Sequence, residues 1–211
     1  MRNFEQRPDL SYLTSIITHE QSFSSGATVT CSRESAALSL VSKGIGLRYC
    51  LLENGRRQIE GLIYPGDVLG LGAGLSFARQ SVAEAATPMR LGHLDAERME
   101  DRRTREDMMW LLAYENDLLA QWLATTGQRN AIEGISWFVH HAYQRALQAD
   151  LLTRGAAPFP FPQQVLADAL GLSLVHTNKT LRRLRDRKLF RIERGFVHIP
   201  SLPQLRAVAG L

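Results

Sequence analysis

From residue 37 to 94, short apolar runs of five to seven residues alternate with turn signals. Ala37-Leu38-Ser39-Leu40-Val41 is followed by Lys43-Gly44, and Ile45-Gly46-Leu47-Arg48-Tyr49-Cys50-Leu51 by Asn54-Gly55. Asn-Gly between alternating segments predicts a hairpin, because a type I′ turn needs positive φ at both central residues. Residues 58–64 form the next run, closed by Pro65-Gly66-Asp67, and 68–72, 81–86 and 89–94 follow. Evenly spaced short strands with glycine corners predict a sandwich, jelly roll or small barrel over roughly the first 95 residues.

The period then changes. From 106 to 129 the chain has no proline, and Gly127 is its single glycine. Its apolar positions fall on two adjacent edges of one helix: Met108, Leu111, Leu118 and Trp122 on the first, and Met109, Leu112, Leu119 and Leu123 on the second. Such a helix can pack its own domain with one edge and a partner helix with the other. We assign the first edge, Met108, Leu111, Leu118 and Trp122, to dimerisation. A second helix spans 132–147, with Ile135, Phe138, Val139, Ala142 and Ala146 on one face. Gly155 with Pro158, Pro160 and Pro162 breaks the helical pattern and marks a connection.

Beyond Pro162 the pattern predicts a short helix over 163–170, a tight turn at Gly171-Leu172-Ser173 and an arginine-rich helix over 174–188, which is helix-turn-helix spacing. Leu166 and Leu170 face inward, Ala167 is small at the crossing, Gly171 supplies positive φ, and the Ser173 hydroxyl can cap the second helix. Thr177, Thr180, Leu181 and Leu184 form that helix's inward face. Its outward face starts with Val175, His176, Asn178 and Lys179, placed for base edges, and continues into Arg182, Arg183 and Arg185, placed for phosphates. Phe190-Arg191-Ile192 and Phe196-Val197-His198-Ile199 alternate around Arg194-Gly195, a hairpin that completes a winged helix-turn-helix.

Charge sharpens this picture. The formal net charge of +4 on 211 residues hides a division: from Leu151 onward ten Lys and Arg face three acids, so this part carries +7 and the rest −3. Positive charge gathered on one module is the footprint of a polyanion partner, here double-stranded DNA. With 45 % apolar residues the chain can bury a core. No run approaches the ~20 apolar residues of a bilayer span and the first residues lack the apolar stretch of a secretion signal, so we expect a cytoplasmic protein without membrane contact. Two cysteines, Cys31 and Cys50, make neither a disulfide framework nor a metal knuckle.

Gln164-Val165-Leu166-Ala167-Asp168-Ala169-Leu170-Gly171-Leu172-Ser173-Leu174-Val175-His176-Thr177-Asn178-Lys179-Thr180-Leu181 resembles the DNA-reading motif of the Crp/Fnr superfamily of bacterial transcription regulators. Lys43-Gly44 and Gly66-Asp67 are similar to recurrent turns of that family's cyclic-nucleotide-binding-type roll. The resemblance covers essentially the whole chain. It implies an α+β protein: an N-terminal β-roll, jelly-roll-like, over residues 1–100, a long central dimerisation helix over 101–130, and a C-terminal winged helix-turn-helix over 131–211. It also implies a homodimer on a palindromic operator, with RNA polymerase as a further partner. The DNA-contacting set is then Ser173, Val175, His176, Asn178, Lys179, Arg182, Arg183 and Arg194.

Departures from the family narrow the reading. Members that bind cyclic AMP carry a Glu soon after the glycine of the roll's phosphate loop and an Arg-Ser pair farther on. Here the loop reads Gly70-Leu71-Gly72-Ala73-Gly74 and the later segment Arg79-Gln80-Ser81. Leu71, Arg79 and Gln80 are the roll's candidate ligand-binding residues, but Leu71 and Gln80 stand where Glu and Ser are expected and only Arg79 is kept, so control by cyclic AMP is not expected. The oxygen-sensing branch needs four cysteines for its iron–sulfur cluster, two more than this chain has. His19 and His93 are isolated as haem ligands, and His140-His141 point about 100° apart on a helix. No cofactor is expected. The effector stays open between an unidentified small molecule in the roll and control by abundance or cysteine oxidation.

Two other classes remain. An enzyme would need cupin-like His-x-His ligands, a nucleophile elbow or a phosphate loop, and none appears, so catalysis is not expected. A dimeric small-molecule- or partner-binding protein without DNA must explain why the +7 is confined to a winged helix-turn-helix pattern.

Overall fold

The computed structural model describes residues 10–29, 38–71, 81–95 and 97–211. Among these residues eight strands precede the long helices: β1 (Ile17–Phe23), β2 (Thr28–Val29), β3 (Ser39–Lys43), β4 (Gly46–Leu51), β5 (Arg57–Ile63), β6 (Val68–Leu69), β7 (Val82–Ala85) and β8 (Met89–Leu94). They form two four-stranded sheets, ordered β1-β8-β3-β6 and β2-β7-β4-β5. α1 (Arg102–Gln128) and α2 (Ala131–Gln148) follow, then β9 (Ala157–Pro158), α3 (Gln163–Leu170), α4 (Leu174–Asp186), β10 (Arg191–Glu193), β11 (Phe196–His198) and α5 (Leu202–Ala209). The mixed α+β architecture has the expected order: antiparallel roll, long helix, helix-turn-helix with hairpin.

The chain divides into two compact units. One comprises residues up to Arg48 with Ile63–Ala120, the other Tyr49–Leu62 with Gln121–Leu211. These divisions fall within β4, within β5 and within α1.

In the first unit, consecutive residues of β3 and β6 are buried in two different clusters, Val41 and Leu69 in one and Leu40 and Val68 in the other. Val29, Val41, Ile63, Leu69, Ala83, Ala85, Met89 and Leu91 form one cluster. Leu10, Leu13, Leu40, Val68, Leu94 and Leu111 form a second, which brings the start of α1 onto the roll. The turn after β3 requires its glycine: Gly44 has φ +94°, and a Cβ there would lie 2.4 Å from the Pro88 carbonyl oxygen. α1 begins four residues earlier than the apolar period suggested, because the Asp101 carboxylate accepts bonds from the Thr104 N–H and hydroxyl.

The Asn54-Gly55 turn differs from expectation. Gly55 has φ +78°, but Asn54 does not take positive φ. Leu52 N–H bonds the Arg56 carbonyl at 2.8 Å, and the Asn54 side chain accepts from Arg56 N–H at 3.0 Å. The loop is therefore three residues long with glycine in the left-handed region, a different solution to the same hairpin.

In the second unit, α2 carries the core. Asn130 caps it in a reciprocal box with Glu133, and Ile135, Phe138, Val139, Ala142 and Ala146 are completely buried. Phe138 meets Phe159 and Phe161 edge-on at centroid distances of 6.0 and 5.8 Å. α2 packs against α3, α4 and α5, so the helix-turn-helix has a rigid floor.

Candidate nucleic-acid interface

The turn between α3 and α4 is built by backbone chemistry. Gly171 takes φ +64°, ψ 26° and donates its N–H to the Ala167 carbonyl, as Leu172 does at 3.0 Å. Ser173 then caps α4, its hydroxyl accepting from His176 N–H at 3.2 Å. Within α4 Thr177, Thr180 and Leu184 are buried and Leu181 is half-buried, which is the inward face expected. On α3 Leu166, Ala167 and Leu170 are buried as well.

This packing points the remaining positions of α4 outward. Val175 is 79 % exposed, and Ser173, His176, Asn178, Lys179, Arg182 and Arg183 are all exposed. Val175, Asn178, Lys179 and Arg182 follow i, i+3, i+4, i+7 and share one face. The N-terminal end of α4, with the positive end of its dipole, belongs to this same outward surface.

The hairpin beside α4 is a true two-residue turn. Arg194 (φ 50°) and Gly195 (φ 77°) both take positive φ, and Glu193 pairs with Phe196. Arg194 is exposed at its tip. β9 joins as a third strand in the order β10-β11-β9, and Phe159 N–H bonds the Gly195 carbonyl at 2.7 Å, fixing the tip from behind. The connection at 155–162 thus contributes a strand that sequence pattern alone did not reveal. The expected DNA-contacting residues therefore lie on one helix and its adjoining hairpin, within one unit.

Two contacts to α3 were not anticipated. Arg57 Nε meets Asp168 Oδ2 at 2.9 Å, and Gln58 Nε2 donates to the Ala169 carbonyl at 3.2 Å. Asp168 also accepts from Gln164 Nε2 at 2.7 Å. Asp168, one of the three acids of the basic module, is thus partnered on both carboxylate oxygens.

The edge of α1 assigned to dimerisation needs correction. Leu111 is buried in the core of the first unit, and Met108 is half-buried against the same cluster. Trp122 is buried in the second unit among Trp137, Phe138 and His141. Leu118 is half-buried. The other edge, Met109, Leu112, Leu119 and Leu123, is the exposed one. Of the roll positions, Leu71 packs as a partly buried apolar side chain against the core of the first unit, while Arg79 and Gln80 lie outside the described residues. Cys50 is buried, and Cys31 lies outside the described residues. Among the described residues no helix is long and apolar enough to cross a membrane.

The sequence and the structure agree with known proteins. Residues 135–208 match the model of the Crp-like helix-turn-helix domain. A probable transcriptional activator of Rhizobium leguminosarum is 30 % identical over 185 residues, 82 % of this chain and 73 % of that protein. The transcriptional activatory protein AadR of Rhodopseudomonas palustris is 31 % identical over 79 % of this chain and 71 % of that protein. The structure of FixK2 from Bradyrhizobium japonicum superimposes with a TM-score of 0.77 at 21 % identity, covering 90 % of this chain and 96 % of that one. The chain belongs to the Crp/Fnr family of DNA-binding transcription regulators.

Proposed function

We propose that the protein acts as a homodimer whose two α4 helices read the half-sites of an imperfectly palindromic operator. The observation that carries this reading is the outward face of α4, where Val175, Asn178, Lys179 and Arg182 stand exposed on a helix locked from beneath. In this reading Lys179 donates to guanine O6 and N7, and Val175 touches a thymine methyl. Arg182, Arg183 and Arg194 bind phosphates, with His176 and Asn178 beside them and Ser173 offering the helix start. Residues 1–100 serve as the sensor-type roll, 101–130 as the dimerising helix and 131–211 as the DNA-binding domain. The dimer forms along the exposed edge of α1, Met109, Leu112, Leu119 and Leu123.

Cyclic AMP does not control this regulator, because Leu71 offers no acceptor for a ribose hydroxyl and packs against the apolar core of its unit instead. Relatives named as transcriptional activators support a role at promoters in the cytoplasm, with RNA polymerase as the partner. A gel shift with a palindromic duplex against the same half-site presented singly tests the reading. The palindrome should bind as a dimer and far more tightly; equal affinity for both would refute it.

A further inference from the structure

α1 carries on its exposed side a repeat that the rest of the described fold does not use. Met109, Leu112, Leu119 and Leu123 are 70, 46, 44 and 74 % exposed. Asn116 and Thr126, also exposed, complete the row. The steps along it alternate between three and four residues, the spacing of a two-helix seam. In that register Met109, Asn116 and Leu123 hold the first core position of successive heptads, and Leu112, Leu119 and Thr126 the second.

The two flanks of the seam are unequal. On one, Glu115 is held by Arg48 at 3.4 Å and Trp122 is buried within its own chain. On the other stand Ala113 and Ala120, both exposed. In a parallel pair of identical helices each flank faces the opposite flank of the partner, so small alanines meet the crowded side. An antiparallel pair would set crowded flank against crowded flank. A parallel arrangement also leaves both polypeptides emerging at the same end of the seam, as two DNA-binding domains on one duplex require.

Asn116 is the polar residue in the middle of this row, and its side chain makes no hydrogen bond with a described residue. We propose that Asn116 pairs amide to amide with Asn116 of a second copy, and that this pair fixes the register and two-stranded state of the dimer at some cost in affinity. Any slip by one heptad would bury each amide against Met109 or Leu123, leaving its donors and acceptors unsatisfied. Register in turn sets the separation of the two α4 helices, so Asn116 acts as a specificity determinant remote from DNA. This inference rests on the homodimer reading given under Proposed function.

Sedimentation equilibrium of the full chain tests it, with Asn116→Ile, Asn116→Asp and, as a control on the exposed far side, Ala124→Ile. The wild type should be a dimer and Ala124→Ile should match it. Asn116→Ile should tighten association roughly ten-fold or more and yield species heavier than a dimer, and Asn116→Asp should weaken association by a similar factor at neutral pH. If the wild type sediments as a monomer at every concentration, the homodimer reading itself fails. If the wild type is a dimer and both Asn116 variants associate as it does, the dimer stands and the role of Asn116 is overturned.

Discussion

The Trp122 ring meets Trp137 edge-on, with centroids 5.0 Å apart and planes at 78°. Trp137 in turn stacks on His141 at 5.1 Å, and Arg129 lies 5.9 Å from its ring centroid. The residue that ends the first apolar edge of α1 is therefore part of the core beneath the helix-turn-helix. Replacing it opens a cavity rather than an interface. Trp122→Ala should destabilise the second unit by about 3–5 kcal/mol in denaturant melts. Leu119→Glu with Leu123→Glu should leave the core of each unit intact, lowering the melt only by the stabilisation that dimerisation supplied, but give monomers in sedimentation and abolish cooperative operator binding. A dimer that survives the double charge would place the interface elsewhere.

Base reading and phosphate binding should separate cleanly on α4. Lys179→Ala is expected to cost about 1–3 kcal/mol on the operator and to relax preference at one base pair. Arg182→Ala should weaken all duplexes alike and reduce the slope of affinity against salt by about one. Titrations at several salt concentrations, on operator and scrambled duplexes, measure both effects.

Stability should fall on mild acidification. Burial, and then the Arg206 cation, hold the His140 imidazole below its ordinary range. Burial and the stacked His19 ring do the same to His93. In the unfolded chain both titrate near about 6.5. Between that value and the lower folded values the unfolded state binds more protons, so stability rises with pH there and is lost as pH falls through the window. Thermal melts should drop in midpoint from above pH 6.5 downward, and His140→Gln should flatten that dependence. An unchanged slope in the variant would show that His140 protonates as readily folded as unfolded.

Calorimetry with cyclic AMP should show no heat of binding at micromolar nucleotide, and gel-shift affinity should not respond to it. A micromolar dissociation constant would mean that the roll recognises the nucleotide without the acceptor that Leu71 replaces.

Much of this was legible in the residues because the helix-turn-helix is specified locally. Gly171, Ser173 and the inward run Thr177, Thr180 and Leu184 each do what their chemistry dictates. Strand β1 was not legible: five of its seven residues are exposed, so Ile17-Thr18-His19-Glu20-Gln21-Ser22-Phe23 shows no apolar alternation, and its place is set by pairing with β8. The short helix α5 was hidden for a similar reason, since Pro203 in its first turn resembles a break although it suits that position. The two edges of α1 were visible, but their roles depend on where α2 brings Trp137, Phe138 and His141, which is tertiary information. Likewise Arg57 on Asp168 joins residues 111 apart in sequence, beyond the reach of any local pattern.

Selection of bound duplexes from a random pool by the wild-type protein tests the central claim most directly. Two α4 helices related by a two-fold axis should enrich an imperfect palindrome whose half-site centres lie about one helical turn apart, roughly 34–36 Å. Enrichment of a single unpaired half-site, or no enrichment above the input pool, would contradict a dimeric regulator that reads DNA through α4.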